Sequence, residues 1–118
     1  MPCLFLRNVP SDTKWDPDEI KLLYMRIATA ARCNVDAVEI HIESTQYVLL
    51  KPDGTQTNKH GVHGFVEWHK GRSLAAKKAI GQSIHIFLGL HGLGAESDIT
   101  FRDYPKGETY IFEGKLIK

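Results

Sequence analysis

The second residue of the chain, Pro2, is the first whose position suits it for chemistry. Removal of Met1 would leave Pro2 with a secondary amine at the start of the chain. A chain-terminal amine titrates near about 7.7–8.0, and burial among apolar groups lowers that pKa because the charged form loses hydration. Such an amine can act as a general base near neutral pH. In the simpler alternative, proline here only promotes methionine removal, and a retained Met1 would make the nitrogen an amide.

Arg72 is the second candidate, because it stands between Gly71 and a predicted helix start at Ser73. A guanidinium presents a rigid fork that holds a carboxylate with two hydrogen bonds, and a helix start adds backbone donors. The alternative is a solvated arginine in a first turn, where a cation opposes the helix dipole. Arg7 on the first predicted strand and Arg32 at the end of the first predicted helix are weaker candidates for substrate binding.

Histidines and cysteines raise the question of a metal or thiol site. His60, His63 and His69 fall within ten residues, but only His63 and His69 share a face of a strand. No Cys-x-x-Cys or His-Glu-x-x-His motif is present, so we predict no metal site and keep these three histidines as the least favoured alternative. Cys3 has no histidine or acid partner at a fixed spacing, which speaks against a nucleophilic thiol.

Length and composition set the frame for these candidates. The 118 residues predict a single domain, 1–118, large enough to bury a stable hydrophobic core without disulfides or a structural metal. A net charge of +1 argues against a polybasic nucleic-acid binder, and no apolar run approaches the roughly 20 residues that span a membrane. Two cysteines without a pattern, and a start unlike a secretory signal, predict a cytoplasmic protein with reduced thiols.

The first predicted unit, about residues 1–45, is a strand, a helix and a strand. Residues 3–9 are short and mostly apolar, which favours a strand. Asp16 at the N-cap, Pro17 at the first helical position and Glu19 in a capping box predict a helix that runs to about Arg32. Asn34 is expected to close this helix in a left-handed conformation. Residues 38–43 alternate strictly, as in a half-buried strand.

A second unit, about residues 61–104, repeats the pattern after a polar segment with a short hairpin arm at 47–50. Residues 62–69 predict a strand, Ser73 caps a helix that Gly89 or Gly92 ends, and residues 97–103 predict another strand. The remaining residues, 105–118, predict a C-terminal hairpin with arms at 109–112 and 115–117.

Two βαβ units predict an α/β (α+β) fold, with a four-stranded sheet and both helices on one face. The other face of the sheet carries mixed side chains. Phe65, Trp68 and the apolar tail hairpin are more hydrophobic than a solvated surface requires, so we expect another chain to cover this face.

Met1-Pro2 leading into a strand, followed by a tandem βαβ duplication, resembles the tautomerase superfamily. That superfamily includes 4-oxalocrotonate tautomerase, macrophage migration inhibitory factor and the 3-chloroacrylic acid dehalogenases. The likeness covers most of the chain, and its most specific parts are Pro2 and residues 64–73. Residues 71–73 are similar to the loop in which these enzymes place a substrate-binding arginine, here Arg72. Residues 99–114 are most similar to an uncharacterised bacterial branch.

The resemblance implies a homotrimeric enzyme in which Pro2 is the general base or acid and Arg72 binds a carboxylate. His69 and Tyr110 would assist, the substrate would be a small keto or enol acid, and no organic or metal cofactor is implied. Isomerase, hydratase and dehalogenase chemistry fall within the superfamily. His69 stands where one dehalogenase branch has a second arginine, which puts dehalogenase activity in doubt. The alternative is a non-catalytic oligomer that keeps the fold and binds a protein or another ligand.

Overall fold

Two helices and eight short strands build the part of the chain that the computed structural model describes, residues 2–105, 107 and 111–116. In chain order they are β1 Cys3–Arg7, α1 Pro17–Ala31, β2 Glu39–Ile42, β3 Val48–Leu50, β4 Gln56–Asn58, β5 His63–His69, α2 Leu74–Leu90, β6 Asp98–Tyr104, β7 Ile111–Phe112 and β8 Lys115–Leu116. A 3₁₀ turn, Val35–Ala37, leads into β2. Neither helix is long and apolar enough to cross a membrane within these residues.

The main sheet has four strands in the order β2-β1-β5-β6. β1 and β2 are parallel, as are β5 and β6, because a helix crosses over between the members of each pair. The two pairs meet along β1 and β5, which are antiparallel. This arrangement confirms the predicted α+β fold with two βαβ units. The antiparallel pairing also brings the start of β1 next to the end of β5, where Pro2 and Arg72 lie in the sequence.

Helix α1 begins where the sequence predicts and ends earlier than Asn34. The Asp16 side chain accepts a hydrogen bond from the backbone N–H of Asp18, and Pro17 is the first helical residue. Arg32, at φ 55°, takes the left-handed position that ends the helix, so the prediction that Asn34 closes it is wrong. Asn34 instead accepts a hydrogen bond from the N–H of Asp36 and caps the following 3₁₀ turn, which satisfies a donor that would otherwise be unpaired.

Helix α2 follows the sequence signals closely. The Ser73 side chain accepts a hydrogen bond from the N–H of Ala76, as an N-cap does. The helix ends at Leu90, and Gly92 has φ 73°, so the predicted end near the glycines is confirmed. The polar segment after β2 forms the hairpin β3–β4, and β7 and β8 form the C-terminal hairpin. Thr109, Tyr110 and Ile117 of that predicted hairpin lie outside the described residues.

Both helices pack on one face of the sheet and bury one side of β1 and of β5. Trp68 belongs to this core, with none of its surface exposed, so its predicted place on the open face is wrong. Side chains alternate along a strand, and Trp68 therefore shares the covered face with Val66. Phe65, one step out of phase, does lie half-buried on the open face. The core contributed by the helices consists mainly of Leu23, Ile27, Ile80, Ile84 and Leu88.

Candidate functional site

A cationic pocket of about 310 Å³ lies between the end of α1 and the turn from β5 into α2. The structure thus brings together Arg32 and Arg72, two candidates forty positions apart in the chain, and adds Lys70, which the sequence analysis missed. No acidic side chain is among the described residues that line it. They are Ala30, Ala31, Arg32, Lys70, Gly71, Arg72, Ser73 and Ala76. An uncompensated set of cations favours a small anion such as a carboxylate.

The Arg72 side chain is held in place rather than left free in solvent. Its Nη1 donates a hydrogen bond to the His69 carbonyl oxygen over 2.9 Å. The guanidinium carbon lies 5.5 Å from the centre of the Trp68 ring, within the range of a cation–π contact. A guanidinium has five N–H donors, so most of them remain for a bidentate carboxylate. Gly71 makes the turn possible with φ 115°, a conformation that other residues rarely adopt.

Trp68 is itself anchored from the opposite side. Its indole N–H donates to Oδ1 of Asp103 over 2.5 Å, and Nζ of Lys77 donates to Oδ2 of the same carboxylate over 2.6 Å. The Lys77 hydrogen bond, followed by that of Trp68, holds the pKa of Asp103 below its usual value. The ionised carboxylate thereby fixes the indole that lies against Arg72.

Pro2 lies fully buried at the start of β1, on the covered side of the sheet. Its carbonyl oxygen accepts a hydrogen bond from the N–H of Glu39 over 3.1 Å. Cys3 pairs with Glu67, and continuing this antiparallel register by one residue sets Pro2 opposite Trp68. Trp68 therefore connects Pro2 to Arg72. Pro2 is not among the described residues that line the cationic pocket; it lies at the same end of the sheet, across from Trp68 on β5.

The remaining sequence candidates do not point into this pocket. The His69 side chain alternates with Trp68 and faces the open side, and the residue reaches Arg72 through its carbonyl. Arg7 lies at the far end of β1, roughly 16 Å from Pro2 at about 3.3 Å per residue. It pairs with Glu43 over 3.1 Å and lies over the Phe65 ring. Tyr110 lies outside the described residues.

The three histidines considered for a metal do not meet. His63 and His69 begin and end β5, six residues or roughly 20 Å apart, which is too far to share one ion. His63 Nδ1 pairs instead with Oδ1 of Asp98, on the neighbouring strand.

Cys3 does have histidine and acid neighbours, contrary to the sequence-based expectation. Its sulfur and one ligand atom each of Glu39 and His41 lie within 4.8 Å of one another. Glu39 and His41 belong to β2, which pairs with β1 only in the folded chain, so their spacing in the sequence does not predict this contact. Burial, and then the negative charges of Glu39 and Glu67, raise the pKa of the Cys3 thiol, which disfavours the nucleophilic thiolate.

Comparison with known proteins places the chain by its structure. No protein-family model matches it, and no curated protein matches it in sequence. A fused 4-OT, solved as an asymmetric trimer, is 18% identical, with a TM-score of 0.72 over 98% of this chain and 95% of that chain. Macrophage migration inhibitory factor from Oncomelania hupensis is 17% identical, with a TM-score of 0.71 over 100% of this chain and 83% of that one.

A third similar structure is a protein of unknown function from Vibrio cholerae O1, which is 20% identical. Its TM-score is 0.69, over 98% of this chain and 87% of that chain. At sequence identities of 17–20% the similarity shows a shared backbone fold. The predicted resemblance is confirmed for the fold. The element order, the mixed sheet and the helices on one face agree with it, and this chain therefore has the fold of the tautomerase superfamily.

Proposed function

We propose that this protein is a cytoplasmic tautomerase-type isomerase that acts on a small keto or enol carboxylic acid. Its general base would be the amine of Pro2, exposed by loss of Met1. The observation that carries the proposal is the cationic pocket at the end of the sheet where β1 begins, with Pro2, and where β5 ends. The tautomerase-like backbone and the anchored Arg72 support it.

Two features of the site favour a neutral Pro2 amine. Burial disfavours the charged form of an amine, and nearby cations disfavour it further, so both lower its pKa. Pro2 is buried, and Arg32, Lys70 and Arg72 line the pocket at the same end of the sheet. An amine that is neutral near pH 7 can accept a proton, and its rigid place at the head of a central strand keeps it in position.

In the proposed reaction Pro2 removes the proton of the substrate's enol hydroxyl and delivers it to the carbon next to the carbonyl that forms, and the reverse reaction returns the proton along the same path. Arg72 binds the substrate carboxylate through its unused donors. Arg32 and Lys70 add positive potential where negative charge develops on the enolate oxygen, which stabilises the transition state. No step of this proton transfer calls for a cofactor.

We further propose a homotrimer as the working assembly. The fused 4-OT with this backbone is a trimer in its structure. In this chain β2 and β6 are the outer strands of the main sheet, and such edges commonly pair with another chain. The half-buried ring of Phe65 on the open face would be covered at the same time. Light scattering that shows a stable monomer would contradict this assembly.

The test of the catalytic proposal compares Pro2→Ala with Pro10→Ala. Pro10 is exposed in the loop after β1, so it is a matched proline control away from the pocket. Ketonisation of phenylenolpyruvate is the assay, and intact mass first establishes that Met1 is absent from each preparation. A positioned general base contributes about 10²–10⁴-fold, so Pro2→Ala should lose about that much in kcat/KM while Pro10→Ala keeps its rate.

Two results would count against the catalytic proposal. Equal rates for Pro2→Ala and the unmodified protein would favour the alternative, a non-catalytic oligomer that binds a protein or ligand. Retention of Met1 in protein from its native host would leave the Pro2 nitrogen as an amide, which cannot serve as the base.

A further inference from the structure

Three ligand-type side chains converge on the open face of the sheet, the side turned away from the helices. They are Cys3 of β1 and Glu39 and His41 of β2, and one donor atom of each lies within 4.8 Å of the others. The parallel pairing of the strands places Cys3 beside Glu39 and Phe5 beside His41. His41 Nε2 is already 3.1 Å from a carboxylate oxygen of Glu39.

The donor set is the one that zinc prefers. Thiolate sulfur, imidazole nitrogen and carboxylate oxygen all bind Zn²⁺, at about 2.0–2.3 Å, whereas magnesium and calcium take oxygen ligands. Ligand atoms of a tetrahedral zinc at those lengths are about 3.3–3.8 Å apart. The present separations, within 4.8 Å, therefore require a contraction of about 1 Å. Rotation of the Glu39 and Cys3 side chains can supply it, because Glu39 is exposed and Cys3 is only half-buried.

The surroundings favour a cation and orient one ligand. The ring of Phe5 stacks on His41 with centroids 4.9 Å apart and planes 16° from parallel, which restricts the imidazole. Glu67 lies directly across from Cys3 on β5, on the same face, and shares its negative charge with Arg102, whose Nη1 lies 3.5 Å from Glu67 Oε1. A coordinating thiol loses its proton to a bound zinc ion, so a protonated Cys3 in the metal-free protein does not oppose the site.

We propose that Cys3, Glu39 and His41 form a zinc-binding site on the open face, with the fourth coordination position left for water or another ligand. The site is separate from the proposed Pro2 chemistry. Pro2 and Cys3 are adjacent in an extended strand, so their side chains point to opposite faces of the sheet. Pro2 is buried on the helix side, and the three ligands lie on the other.

The test is a zinc titration of chelator-stripped protein in competition with a chromophoric chelator. The unmodified protein should bind one zinc ion per chain. Loss of a group that only hydrogen-bonds to a ligand weakens metal binding by about 10–100-fold, so loss of a ligand itself in Cys3→Ser or His41→Gln should raise the Kd by at least about tenfold. Cys33→Ser and His85→Ala are the matched controls, because neither residue belongs to the cluster, and both should bind as the unmodified protein does.

Cobalt substitution adds a readout that identifies the ligand atom. Co²⁺ in the site should show a sulfur-to-cobalt charge-transfer band, present in Cys33→Ser and absent in Cys3→Ser. The proposal is overturned if Cys3→Ser binds zinc as tightly as the unmodified protein, or if that band is missing from the unmodified protein. Pro2→Ala should keep full zinc affinity, so failure of the catalytic proposal and failure of the zinc site give different results.

Discussion

Replacing Asp103 should destabilise the fold mainly through the buried indole of Trp68. In Asp103→Ala the indole N–H loses its acceptor while the ring stays fully buried. An unsatisfied buried donor costs about 1–3 kcal/mol. The lost ion pair with Lys77, whose side chain is 27% exposed, adds at most about 1 kcal/mol. We therefore expect the free energy of unfolding to fall by about 1–4 kcal/mol in urea titrations followed by circular dichroism.

Two further variants separate the hydrogen bond from the ion pair. Asp103→Asn keeps a side-chain oxygen for the indole and loses the charge together with the Lys77 hydrogen bond, so it should cost about 1 kcal/mol or less. In a Trp68→Phe background there is no indole N–H to satisfy, so Asp103→Ala should cost about 1–2 kcal/mol less than in the unmodified protein. The same cost for Asp103→Ala in both backgrounds would refute the reasoning.

The pH dependence of stability has a definite sign at this site. The Lys77 and Trp68 hydrogen bonds lower the pKa of Asp103 in the folded chain. Its charge-dependent stabilisation is therefore present above the unfolded pKa of about 3.9 and is lost as pH falls through the lower folded value. The difference in unfolding free energy between the unmodified protein and Asp103→Asn should thus persist at neutral pH and shrink below about pH 4.

Two other predictions concern backbone contact and substrate binding. Gly61→Ala should destabilise the protein by more than about 2 kcal/mol in urea unfolding, because its φ is 92° and a Cβ would lie 2.1 Å from the Glu96 carbonyl oxygen. Gly81→Ala, in α2 with open space around it, should instead stabilise by up to about 1 kcal/mol, and the opposite order would contradict this. Arg72→Lys should raise KM for phenylenolpyruvate by about tenfold or more, because lysine cannot hold a carboxylate with two parallel hydrogen bonds. Arg102→Lys, at an exposed position, is the control and should leave KM unchanged. Equal KM values for the two variants would exclude Arg72 from carboxylate binding.

The helices and strands could be predicted from the sequence because their signals are local. Asp16, Pro17 and Ser73 mark helix starts through hydrogen bonds that reach only two or three residues. Alternation over 38–43 and 62–69 marks strands in the same short range. Asparagine suits either a helix end or a helix start, so the sequence predicts the wrong role for Asn34. In the structure its side chain accepts a hydrogen bond from the Asp36 N–H and begins the 3₁₀ turn.

The side of the sheet on which a strand residue lies follows from its position in the alternation along the strand. Hydrophobicity alone predicts the wrong side for Trp68. Trp68 lies an odd number of positions from Phe65 and an even number from Val66, so it shares the covered side with Val66 and not the open side with Phe65. Packing of both helices against that side turned the indole into core. The same packing sets its ring against the guanidinium of Arg72.

By itself, the sequence determined the duplicated βαβ order and predicted Pro2 and Arg72 as candidate site residues, since each prediction rests on neighbouring residues. Tertiary structure alone decided which distant groups share a site. Arg32 meets Arg72 because the end of α1 and the start of α2 lie side by side. Cys3 meets Glu39 and His41 because β1 and β2 pair in parallel. Such contacts depend on strand register and helix packing, which bring residues together regardless of their separation in the chain.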